Sequence, residues 1–389
     1  MKSLLVTHSH RWNGETEYAA GVVRAELAMG MDVTVVAPKE STFARQVAGK
    51  VRLLELPGRA PSRSIIDFIR DVNWLSGLIG KGGFDLIHPS RATAHLLVAL
   101  AARKRIPLLH LRGGAKRPYG HPGNWLLYRW LTDGVIVSSR RVEGWVTRIL
   151  KVPPERVHRI LSPVDIEQYK PAPPDPGLLK ELGIVSGTPV ILKVARLAPV
   201  KGHPILLEAM ATVHQEFPQA KLVLVGNPWE GQPGRLMEQA RKLGIEDSVI
   251  FTGRRSDVSR FLACASVCVS SSIGSEENSR AISEYMATGH SVVASAVGVI
   301  PELIVDGQTG YLVPHGNASA LADGLLKLLR DPESARRMGQ AGRSRAVELF
   351  SEEAFGRSLS RVFNSILAGK MVQGNSLLEH KDDIVNPFT

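Results

Sequence analysis

Apolar and polar positions along the chain follow two rhythms. Short, almost wholly apolar runs recur, and between them lie longer stretches with helical spacing. In the first half, runs at 3–7, 32–37, 51–56, 84–88, 107–111 and 134–138 predict strands, and stretches at about 15–29, 65–80 and 92–103 predict helices. The rhythm breaks at 162–176, where five prolines in a short polar segment read as a linker. It then resumes, with strands predicted at 189–195, 221–226, 249–253, 267–270 and 292–294. Helices at 204–217, 236–243 and 258–265, and one carrying Glu284, fill the gaps. Strands that alternate with helices argue for a parallel sheet covered on both faces. Two such series predict an α/β chain of two Rossmann-like, doubly wound domains, 1–168 and 169–351, with a cleft at the carboxyl ends of their strands.

Length and composition agree. A chain of 389 residues suits two domains better than one core. Hydrophobic residues make up 44% and charged residues 22%, a soluble globular profile, and no stretch has the length and apolarity of a membrane span. The run at 1–8 reads as a first buried strand and not as a signal peptide, so cytoplasmic residence is the expectation. Cys264 and Cys268 lie in one apolar passage and read as small buried hydrophobes, with no second Cys or His cluster to complete a zinc site. The net charge of +11 changes the picture more. Few aromatics (6%) and no nucleic-acid-binding signature argue against nucleic acid. Attraction to an anionic membrane surface and to phosphate-rich substrates is the better reading, beside a merely basic protein.

Candidate chemistry concentrates in the second half. Glu276 and Glu284 stand eight positions apart, with Ser275, Asn278 and Ser279 available as helix caps. A helix starting there would aim backbone N–H groups and a partial positive charge at a phosphate or sugar hydroxyl. Eight helical steps advance roughly 12 Å, about the span of a sugar, a diphosphate and a ribose. Arg196 and Lys201, five apart beside Gly202 in a strand-to-helix turn, suit a diphosphate clamp. Taken singly, each pattern also fits an ordinary helix surface or a solvated loop. No D-x-D motif for a metal-bound diphosphate is present, and two cations with a helix N-terminus make a metal unnecessary.

Together these segments resemble the E-x7-E and R-x4-K-G elements of retaining GT-B glycosyltransferases of family 4. The resemblance spans roughly 3–350 and is strongest over 189–314. It implies that Glu276 faces the donor sugar and Glu284 the ribose, that Arg196 and Lys201 hold the donor phosphates, and that Glu277, Asn278 and Ser279 add donor contacts. The turn at Gly253-Arg254 would border the base, and the stretch from Gly298 would back the donor pocket. Gly14 would lie near the diphosphate, with Asn13 replacing a usual glycine and tolerating positive φ. The Thr-x-His pattern usual near the acceptor is missing. His110, Arg112, Lys116 and Arg117 occupy that region and suit an anionic acceptor, although a solvated basic loop fits them equally. His8 and His10 read as local hydrogen-bonding residues. A helix at about 352–368 would cross back to the first domain, and 369–389 would be a mobile tail.

The implied reaction moves a sugar, with retention, from a nucleoside diphosphate to an acceptor hydroxyl on a glycan or lipid-linked molecule. Glu276, Arg196 and Lys201 would act in catalysis, without a cofactor. Cell-envelope polysaccharide or lipopolysaccharide assembly at the inner face of the membrane is the setting it suggests. Two other classes fit the same features: a nucleotide-sugar epimerase of this fold, and a non-catalytic basic protein that binds membranes or polyanions.

Overall fold

The computed structural model describes residues 1–10, 13–58, 64–114, 116–274 and 276–379, with side chains to 369. The chain forms two compact units, one of residues 1–161 with the C-terminal segment from 355, the other of Ser162–Ala354.

The first unit opens with β1 (Lys2–Thr7), α1 (Gly14–Ala28), β2 (Asp32–Val36), α2 (Thr42–Val47) and β3 (Arg52–Leu54). It continues through α3 (Ile65–Gly82), β4 (Leu86–Ser90), α4 (Ala92–Ala102) and β5 (Leu109–Arg112), then α5 (Pro122–Trp130), β6 (Gly134–Val137), α6 (Arg140–Arg148) and β7 (Val157–Arg159). Among the described residues these strands form one parallel seven-stranded sheet in the order β3-β2-β1-β4-β5-β6-β7. Strand alternation divides its core. Leu4 and Val6 of β1 face one layer with Leu97 and Val98 of α4 and Leu127 of α5. Leu5 faces the other, with Val22 of α1 and Phe355 and Phe363 of the last helix.

The second unit holds α7 (Pro176–Glu181), β8 (Val190–Val194), α8 (His203–Glu216), β9 (Lys221–Val225), α9 (Gln232–Lys242) and β10 (Val249–Gly253). After these come α10 (Val258–Ala263), β11 (Val267–Ser270), α11 (Arg280–Ala287), β12 (Val292–Ser295), α12 (Ile300–Leu303) and β13 (Tyr311–Val313). The helices α13 (Ala318–Arg330), α14 (Pro332–Phe350) and α15 (Glu352–Glu379) close the chain. The six described strands are parallel in the order β10-β9-β8-β11-β12-β13. The order reverses between β8 and β11 here, and between β1 and β4 in the first unit. Such reversals open a crevice beyond the carboxyl ends of the strands.

Three findings revise the sequence reading. The proline-rich segment is not a loose linker, because 162–176 belongs to the second unit. Its backbone is held there: Val164 N–H donates to the Phe350 carbonyl at 2.8 Å, and the Arg343 guanidinium donates to the carbonyls of Tyr169 and Ala287 at 2.9 and 2.6 Å. The second-unit boundary therefore falls at Ser162. The last helix runs to Glu379, past the expected end near 368, so the expected mobile tail is helical over 369–379; its remainder, 380–389, lies outside the described residues. Phe355 at its start meets Tyr18 edge-on at 5.4 Å in the first unit's core.

Candidate functional site

The crevice of the second unit is built from two turns. After β8 the chain passes Arg196, makes a single 3₁₀ turn at Pro199–Lys201, and enters α8 through Gly202. Gly202 has φ +63°, and a Cβ there would lie 1.9 Å from the Ser271 carbonyl oxygen. Only glycine allows this turn to press against the end of β11. The second turn follows β11. Its Glu276 is pinned from behind, since the Val299 N–H donates to the Glu276 carbonyl at 2.7 Å. Gly298, at φ +58°, leaves room for that carbonyl, which a Cβ would meet at 2.1 Å.

The two turns deliver Lys201 and Glu276 to each other. Lys201 Nζ donates to Glu276 Oε1 at 2.5 Å, and Ser272 Oγ donates to the same oxygen at 2.6 Å. The side chains are 17% and 8% exposed, so the pair is largely shielded yet open on one side. Below it lies Lys193, 1% exposed, whose Nζ donates to Ser271 Oγ at 2.9 Å. Ser271 in turn donates to the Gly202 carbonyl at 2.8 Å. Burial, and to a lesser degree the charge of Lys201, pull the Lys193 ammonium down to about 7 despite the opposing carboxylate of Glu276. Burial, with Lys193 and Lys201 nearby, likewise holds His203 neutral. Sequence reasoning missed Lys193. Its signal was a lone charge inside an otherwise apolar parallel strand.

That burial has a consequence for stability. The folded pKa of Lys193 lies below its ordinary 10.5, so between pH 7 and 10.5 the unfolded chain binds the extra proton. Stability then rises with pH across that window. Lys193→Met is expected to melt higher than the wild type at pH 7, with the difference shrinking toward pH 10.5. Thermal melts of both proteins at the two pH values check this, and a constant difference would refute it.

Glu284 lies in α11 and is buried, with Arg280 Nε donating to its Oε1 at 2.5 Å. Tyr169 hydrogen-bonds with both Arg280 and Glu284, and burial first, then the Glu284 charge, raise its hydroxyl to about 12. The expected single helix bearing both glutamates is corrected. α11 starts at Arg280, so Glu276 precedes it. Ser279, at φ 34° and ψ 52°, is the N-cap and makes no side-chain capping bond. The left-handed kink ends the helical spacing that the 12 Å span assumed. Ser275, the other proposed cap, lies outside the described residues. Glu277 is buried, and the Asn278 amide oxygen accepts from Ser162 Oγ at 2.9 Å. Arg196 is exposed and stands over the Trp229 ring at 5.7 Å, a partner with no sequence signal. Arg254 is exposed immediately after β10.

In the first unit, Asn13 caps α1, accepting from the N–H groups of Glu15 and Thr16 at 3.0 and 3.1 Å. Its φ is −155°, so the expected positive φ is not used; the side chain matters as a cap. Gly14 begins the helix and is exposed. Trp12, which precedes Asn13, lies outside the described residues. Arg91, after β4, has φ 80° and ψ 149°, a region almost reserved for glycine, at a strain of about 1–3 kcal/mol. It donates to Ser9 Oγ at 3.1 Å and approaches Glu15 at 3.9 Å. Arg112, the last residue of β5, donates to Tyr128 Oη and to the Lys116 carbonyl at 3.1 and 3.0 Å. Burial raises the Glu15 pKa, against the pull of Arg91 and Arg112. Lys116 and Arg117 are exposed in the following loop. His110 does not face an acceptor as expected. It is 1% exposed, stacked on His95 at 4.0 Å, and burial holds it neutral. His8 is also buried, which lowers it to about 4.

The family model for glycosyl transferases group 1 matches residues 177–345, and that for Glycosyltransferase Family 4 matches 12–168. A D-inositol 3-phosphate glycosyltransferase of Corynebacterium glutamicum (strain R) is 28% identical over 322 residues, which cover 80% of this chain and 75% of the relative. A glycosyltransferase from Rickettsia africae ESF-5 superposes with a TM-score of 0.85 at 21% identity, over 94% of this chain and 98% of the other. The Anabaena protein Alr3699/HepE, solved in complex with UDP, superposes with a TM-score of 0.80 at 22% identity, over 94% and 100%. With both halves matched by these models and two parallel-sheet units of this topology, the chain belongs to the group 1, family 4-type glycosyltransferases, enzymes of the GT-B fold.

Proposed function

We propose that the chain transfers a sugar from a nucleoside diphosphate to an acceptor hydroxyl with retention of configuration, and that the Lys201–Glu276 pair is the centre of the donor site. The pair carries the reading because it lies in the crevice between β8 and β11, where among the described residues Lys201 and Ser272 both donate to Glu276. A donor diphosphate draws Lys201 away from Glu276. The carboxylate is then available to the sugar hydroxyls and to positive charge developing at the anomeric carbon. Arg196 adds a planar donor to the phosphates. Glu284, on its own helix, takes the ribose hydroxyls in exchange for part of its bond to Arg280. The leaving phosphate accepts the acceptor's proton on the same face of the sugar, so no protein nucleophile is required. Two cations meet the leaving-group charge without a metal, and activity undiminished by EDTA is the corresponding result.

Arg91 and Arg112 favour an anionic acceptor, a phosphate or carboxylate placed at the carboxyl ends of β4 and β5. A relative that acts on D-inositol 3-phosphate supports that class. Envelope glycan assembly on the cytoplasmic side of a membrane is the setting that fits an anionic acceptor and a strongly basic enzyme.

Thermal-shift titration with UDP-, ADP- and GDP-sugars tests the donor site. One nucleotide class is expected to stabilise the protein by about 2.7 kcal/mol at a hundredfold excess over Kd. Glu284→Ala is expected to weaken that donor about tenfold or more, the loss of hydrogen bonds to a charged group. An unchanged Kd would refute the ribose assignment. Nucleoside diphosphate release that needs no acceptor, with a new sugar epimer as product, would favour epimerisation instead.

A further inference from the structure

One face of the first unit carries apolar side chains that its own core does not use. On α3 they are Ile66 and Ile69, on α4 Leu96 and Leu100, and on α5 Leu126 and Trp130, exposed from 39% (Leu100) to 72% (Ile66). Each pair is three or four positions apart and so shares one side of its helix. The three helices cover the same layer of the sheet. A groove of about 540 Å³ joins them, lined by Phe68, Ile69 and Val72 of α3, Ala99 and Leu100 of α4, and Leu131 at the end of α5. That volume is within the roughly 300–1,000 Å³ of small-molecule sites. Arg103 and Lys104 complete its lining, so the groove is apolar within and cationic beside the apolar wall. Two more cations neighbour these residues in sequence: Arg70, paired with Asp67 at 2.5 Å, follows Ile69, and Arg129 precedes Trp130.

Exposed apolar patches rimmed by polar groups mark interaction sites. The charge identifies the occupant. In a twofold pair of copies this patch would meet itself, cations included. A lipid supplies both complements at once, a hydrocarbon chain for the groove and an anionic headgroup for the cations. Tryptophan belongs at the headgroup level of such a surface. Among the described residues no helix is long and apolar enough to cross a membrane, so contact would be from one side.

We propose that the α3–α4–α5 face docks on an anionic lipid bilayer, with the groove between α3 and α4 seating an acyl chain whose phosphate meets Arg103 and Lys104. The full chain is sedimented with vesicles of phosphatidylcholine alone and of equimolar phosphatidylcholine and phosphatidylglycerol. Binding is expected to the second and not the first. Arg103→Gln with Lys104→Gln is expected to weaken it about fivefold per cation, as is typical near an anionic surface. Ile66→Asn with Leu126→Asn is expected to weaken it at least as much. Arg241→Gln with Lys242→Gln, on α9 of the second unit, removes the same charge elsewhere and is expected to leave binding nearly intact. Equal pelleting with both vesicles, equal losses in the α9 variant, or unaffected binding in the face variants would overturn the proposal. So would a solution dimer that the face variants dissolve while no vesicle binds. The donor-induced thermal shift, measured on the same variants, stays unchanged whichever way the lipid result falls, and so separates this inference from the transfer reaction.

Discussion

Replacing Lys201 with alanine is expected to lower kcat by about a hundredfold or more, with a smaller change in KM. Removing one preorganised group that meets developing charge costs about 2.7–4 kcal/mol of transition-state stabilisation. Lys201 is placed for such a role by a turn that only Gly202 permits, and its charge is already directed at Glu276 over 2.5 Å. The substitution also leaves a nearly buried carboxylate unpaired, and the protein is expected to melt lower for that reason alone. The two effects are separable. In Lys201→Met combined with Glu276→Gln the uncompensated charge is gone, so stability recovers while activity does not. Recovery of activity in the double variant would remove both Lys201 and Glu276 from the transfer chemistry. A wild-type kcat/KM in Lys201→Ala would sink the clamp altogether.

Gly298→Ala is expected to destabilise the protein by about 2–4 kcal/mol and to cut the activity of the folded fraction about a hundredfold, although residue 298 has no assigned contact with substrate. The stability loss has two sources. At φ +58° alanine is strained, and its Cβ would sit 2.1 Å from the Glu276 carbonyl oxygen. The activity loss follows from the second. To relieve the clash, Glu276 must move by an ångström or so, and a displacement of that size at a reacting centre suffices for a hundredfold loss. Gly307→Ala is the control. Gly307 also has positive φ, at 72°, but a Cβ there meets nothing within 4 Å. It is expected to show only the conformational part, about 1 kcal/mol, with activity retained. Equal activity in the two variants would mean that the Glu276 position tolerates displacement. Melting curves and steady-state kinetics on both proteins decide it.

Much of the fold was legible in the pattern. Parallel strands buried on both faces read as continuous apolar runs, and β1, β2, β4, β8, β9, β11 and β12 were each visible that way. The helices α13 and α14 were not assigned, since their apolar positions follow no predicted strand closely enough to stand out from loop. In the site, the positions of Arg196, Lys201, Glu276 and Glu284 were legible as spacings beside turns. Their surroundings were not. Ser279 was read as a cap because its type suits one, yet its left-handed backbone is what places Glu276 outside α11. Trp229, Tyr169 and Arg280 bring contacts from other segments, and no local pattern announces them.

The order of strands and helices, the two-unit architecture and the residue types of the candidate site were determined by the sequence alone, because burial periodicity and turn chemistry act between near neighbours. The tertiary structure decided three things. It set Lys201 against Glu276 from 75 positions away, buried Lys193 beneath them, and withdrew His110 into a stacked core. Charge pairing and desolvation depend on which segments meet at a crevice, and chain order does not encode that distance.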